Sequence, residues 1–103
     1  ENNKNLKEAE RLIRRALKIE PDNGAYLDSL GWLYFKRGKI KEAKEILSKA
    51  SLLLSDSVIF DHLGDVFFKM KDFKNARINW QESLNLDPGQ ENVKKKIRLL
   101  EDK

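Results

Sequence analysis

Between Leu27 and Leu53 the apolar positions return at helical intervals. Leu27, Leu30, Gly31 and Tyr34 follow one stripe, and Ile40, Ala43, Leu47, Ala50 and Leu53 follow another. Alternation of the kind a strand needs is absent from every long segment, so the pattern predicts helices throughout. Arg37-Gly38-Lys39 separates the two stripes, which predicts antiparallel neighbours joined by a tight turn, with Gly38 supplying a left-handed end to the first helix. Gly31 lies inside a helical segment, where glycine costs about 1 kcal/mol relative to alanine. Together with Ala43 and Ala50 it marks the place where helix backbones would come close, and it is expected to permit that contact.

The segment then returns. Phe60 to Ala76 can be laid beneath Leu27 to Ala43, Gly64 under Gly31 and Ala76 under Ala43, both 33 residues on. Ala9 stands 34 residues before Ala43, and ALKIEPDN and SLNLDPGQ place Pro21 and Pro88 at equivalent helix ends. Leu27, Leu30, Gly31, Tyr34, Gly38, Ala43, Leu47 and Ala50, followed by Phe60, Leu63, Gly64, Phe67, Ala76, Trp80 and Pro88, resemble the tetratricopeptide repeat signature at most of its marked positions. The resemblance implies an all-α fold in which antiparallel helix-turn-helix repeats stack as a right-handed superhelix, an α-solenoid. It implies one domain over 1–103: the second helix of a truncated repeat (4–20), two repeats (24–56 and 57–89) and a C-terminal capping helix (90–102). Departures are Ser55 in place of proline, a first repeat one residue short, Ser83 in place of a small apolar residue and Lys71 in place of the turn glycine. Lys71 is therefore expected in a left-handed backbone conformation. LDSLGW and DHLGD also resemble phrases near the C-terminal end of long bacterial scaffold proteins of this family.

Once the packing stripe is assigned, a second stripe is left over. At about 100° per residue, Asp28, Trp32 and Phe35 centre roughly 110° to 120° from the packing direction. The same positions one repeat later are Asp61, Asp65 and Phe68, with His62 and Lys69 beside them and Lys36 beside the first set. In the family this face lines a concave groove that takes partner segments. The resemblance therefore implies a peptide-binding groove of Asp28, Trp32, Phe35, Lys36, Asp61, His62, Asp65, Phe68 and Lys69. Trp80, on the packing side of a second helix, is expected in the core.

Charge and chemistry change this picture little. The 103 residues carry 21 Lys and Arg against 17 Asp and Glu, a formal net charge of +4, with the charges interspersed. There is no cysteine, and His62 is the one histidine, so DHLGD lacks a closed set of metal ligands. No phosphate loop or nucleophile elbow is present, and no cofactor is implied, which reads as a non-catalytic domain. RLIRR and KKKIR lie near opposite ends, and the groove aromatics are interleaved with acids, which argues against nucleic-acid binding. Val93, Ile97 and Leu100 form a seam whose other faces, Lys94, Lys95, Lys96 and Arg98, read as a solubilising cap. No run is long and apolar enough to insert in a membrane. The opening ENNKN, without an initiator methionine, is expected for a piece of a longer protein, and both cytoplasm and bacterial periplasm stay open. The function expected is that of an adaptor or scaffold module binding a protein or peptide partner. The alternative is an oligomerisation element, since Leu6, Ile13 and Leu17, with Ala9 and Ala16, give the N-terminal helix an apolar edge whose partner helix is missing, so that self-association into a homo-oligomer, or fraying before about Glu20, is expected there.

Overall fold

A computed structural model describes the backbone of residues 2–101 and the side chains of residues 5–101. Its chain is all helical: α1 (Asn2–Ile19), α2 (Gly24–Lys36), α3 (Ile40–Leu53), α4 (Ser57–Lys69), α5 (Phe73–Leu86) and α6 (Glu91–Leu100). The expected end of the last helix, Asp102, lies outside the described residues. Two compact units divide the chain, Glu1–Leu54 and Ser55–Lys103, each with three helices.

In the first unit α2 packs on both α1 and α3. Asn23 starts α2 by accepting the Tyr26 N–H at 3.0 Å through its side chain, which satisfies one of the donors a helix leaves open at its beginning. The helix ends where Gly38 turns left-handed, at φ 79°, and the Lys39 N–H bonds the Tyr34 carbonyl at 2.9 Å. The stripe read from the sequence is buried: Leu27, Leu30, Gly31 and Tyr34 on α2 and Ala43, Leu47 and Ala50 on α3, the helix that α2 packs against. Leu53, expected on that stripe, is 44% exposed at the end of α3. A Cβ on Gly31 would lie 2.6 Å from Leu47 Cγ and 3.3 Å from the Leu47 backbone nitrogen, so the missing side chain is what lets α2 and α3 approach.

The second unit repeats the device with one altered residue. Asp56 caps α4 by accepting the Val58 N–H at 2.8 Å, and Asp72 caps α5 by accepting the Asn75 N–H at 3.2 Å. Lys71 takes the conformation that Gly38 takes in the first unit, at φ 63°, and the Asp72 N–H reaches the Phe67 carbonyl at 2.9 Å as Lys39 reaches Tyr34. Lysine there carries the left-handed strain expected from its sequence position. Ala76 and Trp80 of α5 form a core with Val93 and Leu100 of α6, and Phe67, Phe68, Phe73, Leu84 and Ile97 pack around it. Ser83 is fully buried yet satisfied, donating to the Ser57 carbonyl at 2.8 Å and accepting from Gln90 Nε2 at 3.0 Å.

Candidate functional site

The face of α2 that does not enter the core carries Asp28, Trp32 and Phe35, all half-buried, and the exposed Lys36. Trp32 and Phe35 stack with ring centroids 4.9 Å apart and planes 17° apart, an i, i+3 pair that helix geometry brings together. Lys36 Nζ stands 6.0 Å from the Trp32 ring centroid. The α2 face thus carries two stacked rings, a cation at their border and a carboxylate one turn earlier.

On α4 the corresponding residues behave differently. Asp61, His62, Asp65 and Phe68 are half-buried and Lys69 is exposed. Lys96 of α6 donates to Asp61 Oδ1 at 2.8 Å and to Asp65 Oδ1 at 2.9 Å, and the Trp80 indole N–H reaches Asp65 Oδ1 at 3.2 Å and the Asp61 carbonyl at 3.3 Å. Burial pushes the Asp65 carboxyl above its ordinary value, more than Lys96 pulls it down. Burial alone would lower the Lys96 ammonium, but its hydrogen bonds to Asp61 and Asp65 outweigh that and raise it. Phe68 packs on Phe73 at 5.5 Å and on Trp80 at 5.7 Å between centroids. The acids and aromatic of α4 are thus engaged by α5 and α6 of their own unit. Lys96, read from the sequence as part of a solubilising face, is a bridging residue that sequence reasoning missed. Its only local signal was a lysine amid the KKKIR run.

A second polar constellation also escaped the sequence reading. Glu10 of α1 accepts from Arg14 at 2.8 Å, from the Tyr34 hydroxyl at 3.2 Å and from Arg37, while Arg14 also donates to the Tyr34 oxygen. The Arg14 hydrogen bond holds the Glu10 carboxyl below its ordinary value against the opposing effect of burial, with the charges of Arg14, Arg37 and Lys39 adding to it. Beside this cluster, Leu6, Ile13 and Leu17 of the expected edge are half-buried, whereas Leu12 and Ile19 are 51% and 83% exposed. Among the described residues no group of three His, Cys, Asp or Glu side chains could hold a metal ion, and no helix is long and apolar enough to cross a membrane.

Antiparallel helix pairs that share glycine-mediated contacts and present a leftover stripe on each first helix define a helical-hairpin repeat protein. The chain belongs to the tetratricopeptide repeat family, whose profile matches residues 2–57. It is 40% identical over 58 residues to a TPR repeat-containing protein of Pseudomonas aeruginosa, a match covering 56% of this chain and 10% of that protein. A TPR repeat-containing protein of Methanocaldococcus jannaschii is 36% identical over 64 residues, covering 62% of this chain and 11% of that one. The chain therefore spans about a tenth of the length of the curated relatives it matches. Among solved structures, the first TPR of Spaghetti bound to an HSP90 peptide superposes with a TM-score of 0.91 at 18% identity, covering 98% of this chain and 81% of that one. That likeness is one of fold.

Proposed function

We propose that this chain is a non-catalytic interaction module that binds a polypeptide segment of a partner protein on the α2 face, as part of an adaptor or scaffold. The observation that carries the reading is the stacked Trp32–Phe35 pair, half-buried on the face of α2 that the core does not use. Aromatic platforms of this kind supply contact energy at low cost in side-chain freedom, and Trp and Tyr dominate the energetics of natural interfaces. The structural neighbour that holds an HSP90 peptide supports peptide binding as a use of this fold. A grip on a free C-terminal carboxylate is disfavoured here, because Asp28, Trp32 and His62 stand where the family's carboxylate-binding members place basic and amide side chains. The ligand that fits is a segment with an apolar anchor for Trp32 and Phe35 and a neighbouring Lys or Arg drawn to the acidic residues of the face. A basic residue directed at Asp61 or Asp65 would have to displace Lys96.

The finer reading, that the chain comes from the C-terminal repeats of a long bacterial scaffold, rests on the LDSLGW and DHLGD phrases alone. A pull-down with the parent protein, beside one carrying Trp32→Ala, tests the function. Partners recovered by the wild type and lost with Trp32→Ala are expected; an unchanged set of partners would refute the α2 platform.

Association through α1 is the second reading. The observation favouring it is the absence of any fully buried side chain among those described on α1, with Leu6, Ile13 and Leu17 half covered and Leu12 and Ile19 exposed. Sedimentation of the chain across a concentration series tests it: a dimer disrupted by Ile13→Glu is expected, and a monomer at every concentration would remove it.

A further inference from the structure

The Glu10 cluster borders an open cleft of about 430 Å³, lined by Lys7, Glu10, Arg11, Arg14, Arg37 and Lys39. Lys7, Glu10, Arg11 and Arg14 share one face of α1 by their i, i+3, i+4 and i+7 spacing, while Arg37 and Lys39 come from the turn between α2 and α3. Five cationic side chains thus surround one carboxylate. That carboxylate is already spoken for: Glu10 is bonded by Arg14, Arg37 and Tyr34, and its depressed pKa keeps it ionised as the clasp between the two guanidinium groups. A guanidinium has five donor N–H groups, and these bonds use only some of them, so the clasp fixes both arginines without exhausting them. Lys39 also occupies the N-cap of α3 and offers no side-chain acceptor to the first N–H groups of that helix, which leaves positive partial charge at the same edge.

We infer that this cleft is an anion-binding site, separate from the α2 platform, that takes a compact dianion borne by a polypeptide segment: a phosphorylated side chain or two neighbouring carboxylates. Charge count favours a dianion over a single carboxylate. Arg11 is paired with Glu8, and with Glu8 and Glu10 both set against the five lining cations the excess still exceeds one charge. Bidentate guanidinium donors and mobile lysines are the groups that suit phosphoryl or clustered carboxylate oxygens. A nucleic acid suits the cleft less well. The adjacent Tyr34 is 6% exposed and has Arg14 and Lys39 standing over its ring at 5.7 and 5.5 Å, which leaves its ring no room to stack a base.

The test uses the 103-residue chain and fluorescein-labelled peptides of one sequence carrying phosphoserine, Glu-Glu or Ser-Ala at the centre, read by anisotropy at two salt concentrations. Single-stranded RNA serves as competitor. Binding of either dianionic peptide but not the neutral one is expected, and the phosphoserine and Glu-Glu arms identify the source of the charge. Lys7→Gln with Arg11→Gln, both exposed positions, should weaken binding about tenfold, and Lys49→Gln with Lys95→Gln, remote and exposed, less than about twofold. Equal weakening by the two pairs would reduce the effect to net charge and overturn the site. So would loss of binding in Trp32→Ala, tighter binding of the RNA than of any peptide, or no dianion binding at low salt.

Discussion

Gly64 lies where two opposing effects can be separated. Replacing it with alanine should stabilise α4 by about 1 kcal/mol on helix propensity alone. Packing says the opposite, because the new Cβ would fall 2.7 Å from Trp80 Cγ and closer still to the pyrrole edge of the indole. The indole cannot yield freely. It is 3% exposed, packs against Phe68, and donates to Asp65 and the Asp61 carbonyl. Overpacking costs roughly 1 to 3 kcal/mol, and surrendering the indole hydrogen bonds adds about 1 kcal/mol. The net expectation for Gly64→Ala is a loss of about 1 to 3 kcal/mol, or on the order of 10 °C in Tm for a domain of this size. Gly31→Leu should follow the same sign through Leu47, and Gly89→Ala, where a Cβ meets nothing within 4 Å, is the neutral control. Thermal and urea unfolding followed by circular dichroism decide the matter. A Tm at or above wild type for Gly64→Ala would refute the claim that glycine is there for helix contact.

Four further substitutions carry outcomes of their own. Lys71→Gly relieves a left-handed lysine and should raise stability by about 1 kcal/mol, whereas Gly38→Ala should lower it by a similar amount, both by chemical denaturation. Lys96→Met keeps the apolar stem but leaves Asp61 and Asp65 facing each other; a loss of about 1 to 2 kcal/mol at neutral pH and a further rise in the Asp65 pKa by NMR titration are expected, and a smaller loss in acid, where the carboxylates are protonated. Glu10 is held below its ordinary pKa, so its contribution to stability is present above the unfolded-state value and lost as pH falls through the folded-state value; the gap between wild type and Glu10→Gln should close in that window.

The architecture was legible because the devices that specify it are local. Gly31 and Gly64 stand in helical stripes at a fixed interval, which foretold the close helix contacts, and Lys71 stands where the family resemblance places a turn glycine, which foretold the positive φ. Trp80 was legible as core for the same reason. The polar side of the candidate site was not. Lys96 meets Asp61 and Asp65 from 35 and 31 residues away, and which of three consecutive lysines turns inward depends on the rotation of α6, which no repeat match constrains. Phe35 and Phe68 occupy equivalent positions, yet Phe68 leans on Phe73 and Trp80 while Phe35 stacks on Trp32. Repeat equivalence fixes the direction of a side chain and not the neighbours it finds. Tyr34 joined the core stripe as expected, but its hydroxyl also completes the Glu10 cluster with Arg14 and Arg37, a contact between helices that periodicity does not encode.

The most direct test of the central claim is an array of peptides pairing an apolar anchor with Lys or Arg, beside acidic and neutral sets, with the best binders followed by NMR on the chain and on Trp32→Ala. The account predicts that the basic-apolar set binds, that the Trp32 indole N–H and the amides around Asp28 and Phe35 shift on titration, and that Trp32→Ala weakens binding by about tenfold or more, the scale of an interface hot spot. Basic-apolar peptides that bind as well to Trp32→Ala, or shifts confined to Arg11–Arg15 and Lys94–Arg98, would contradict it.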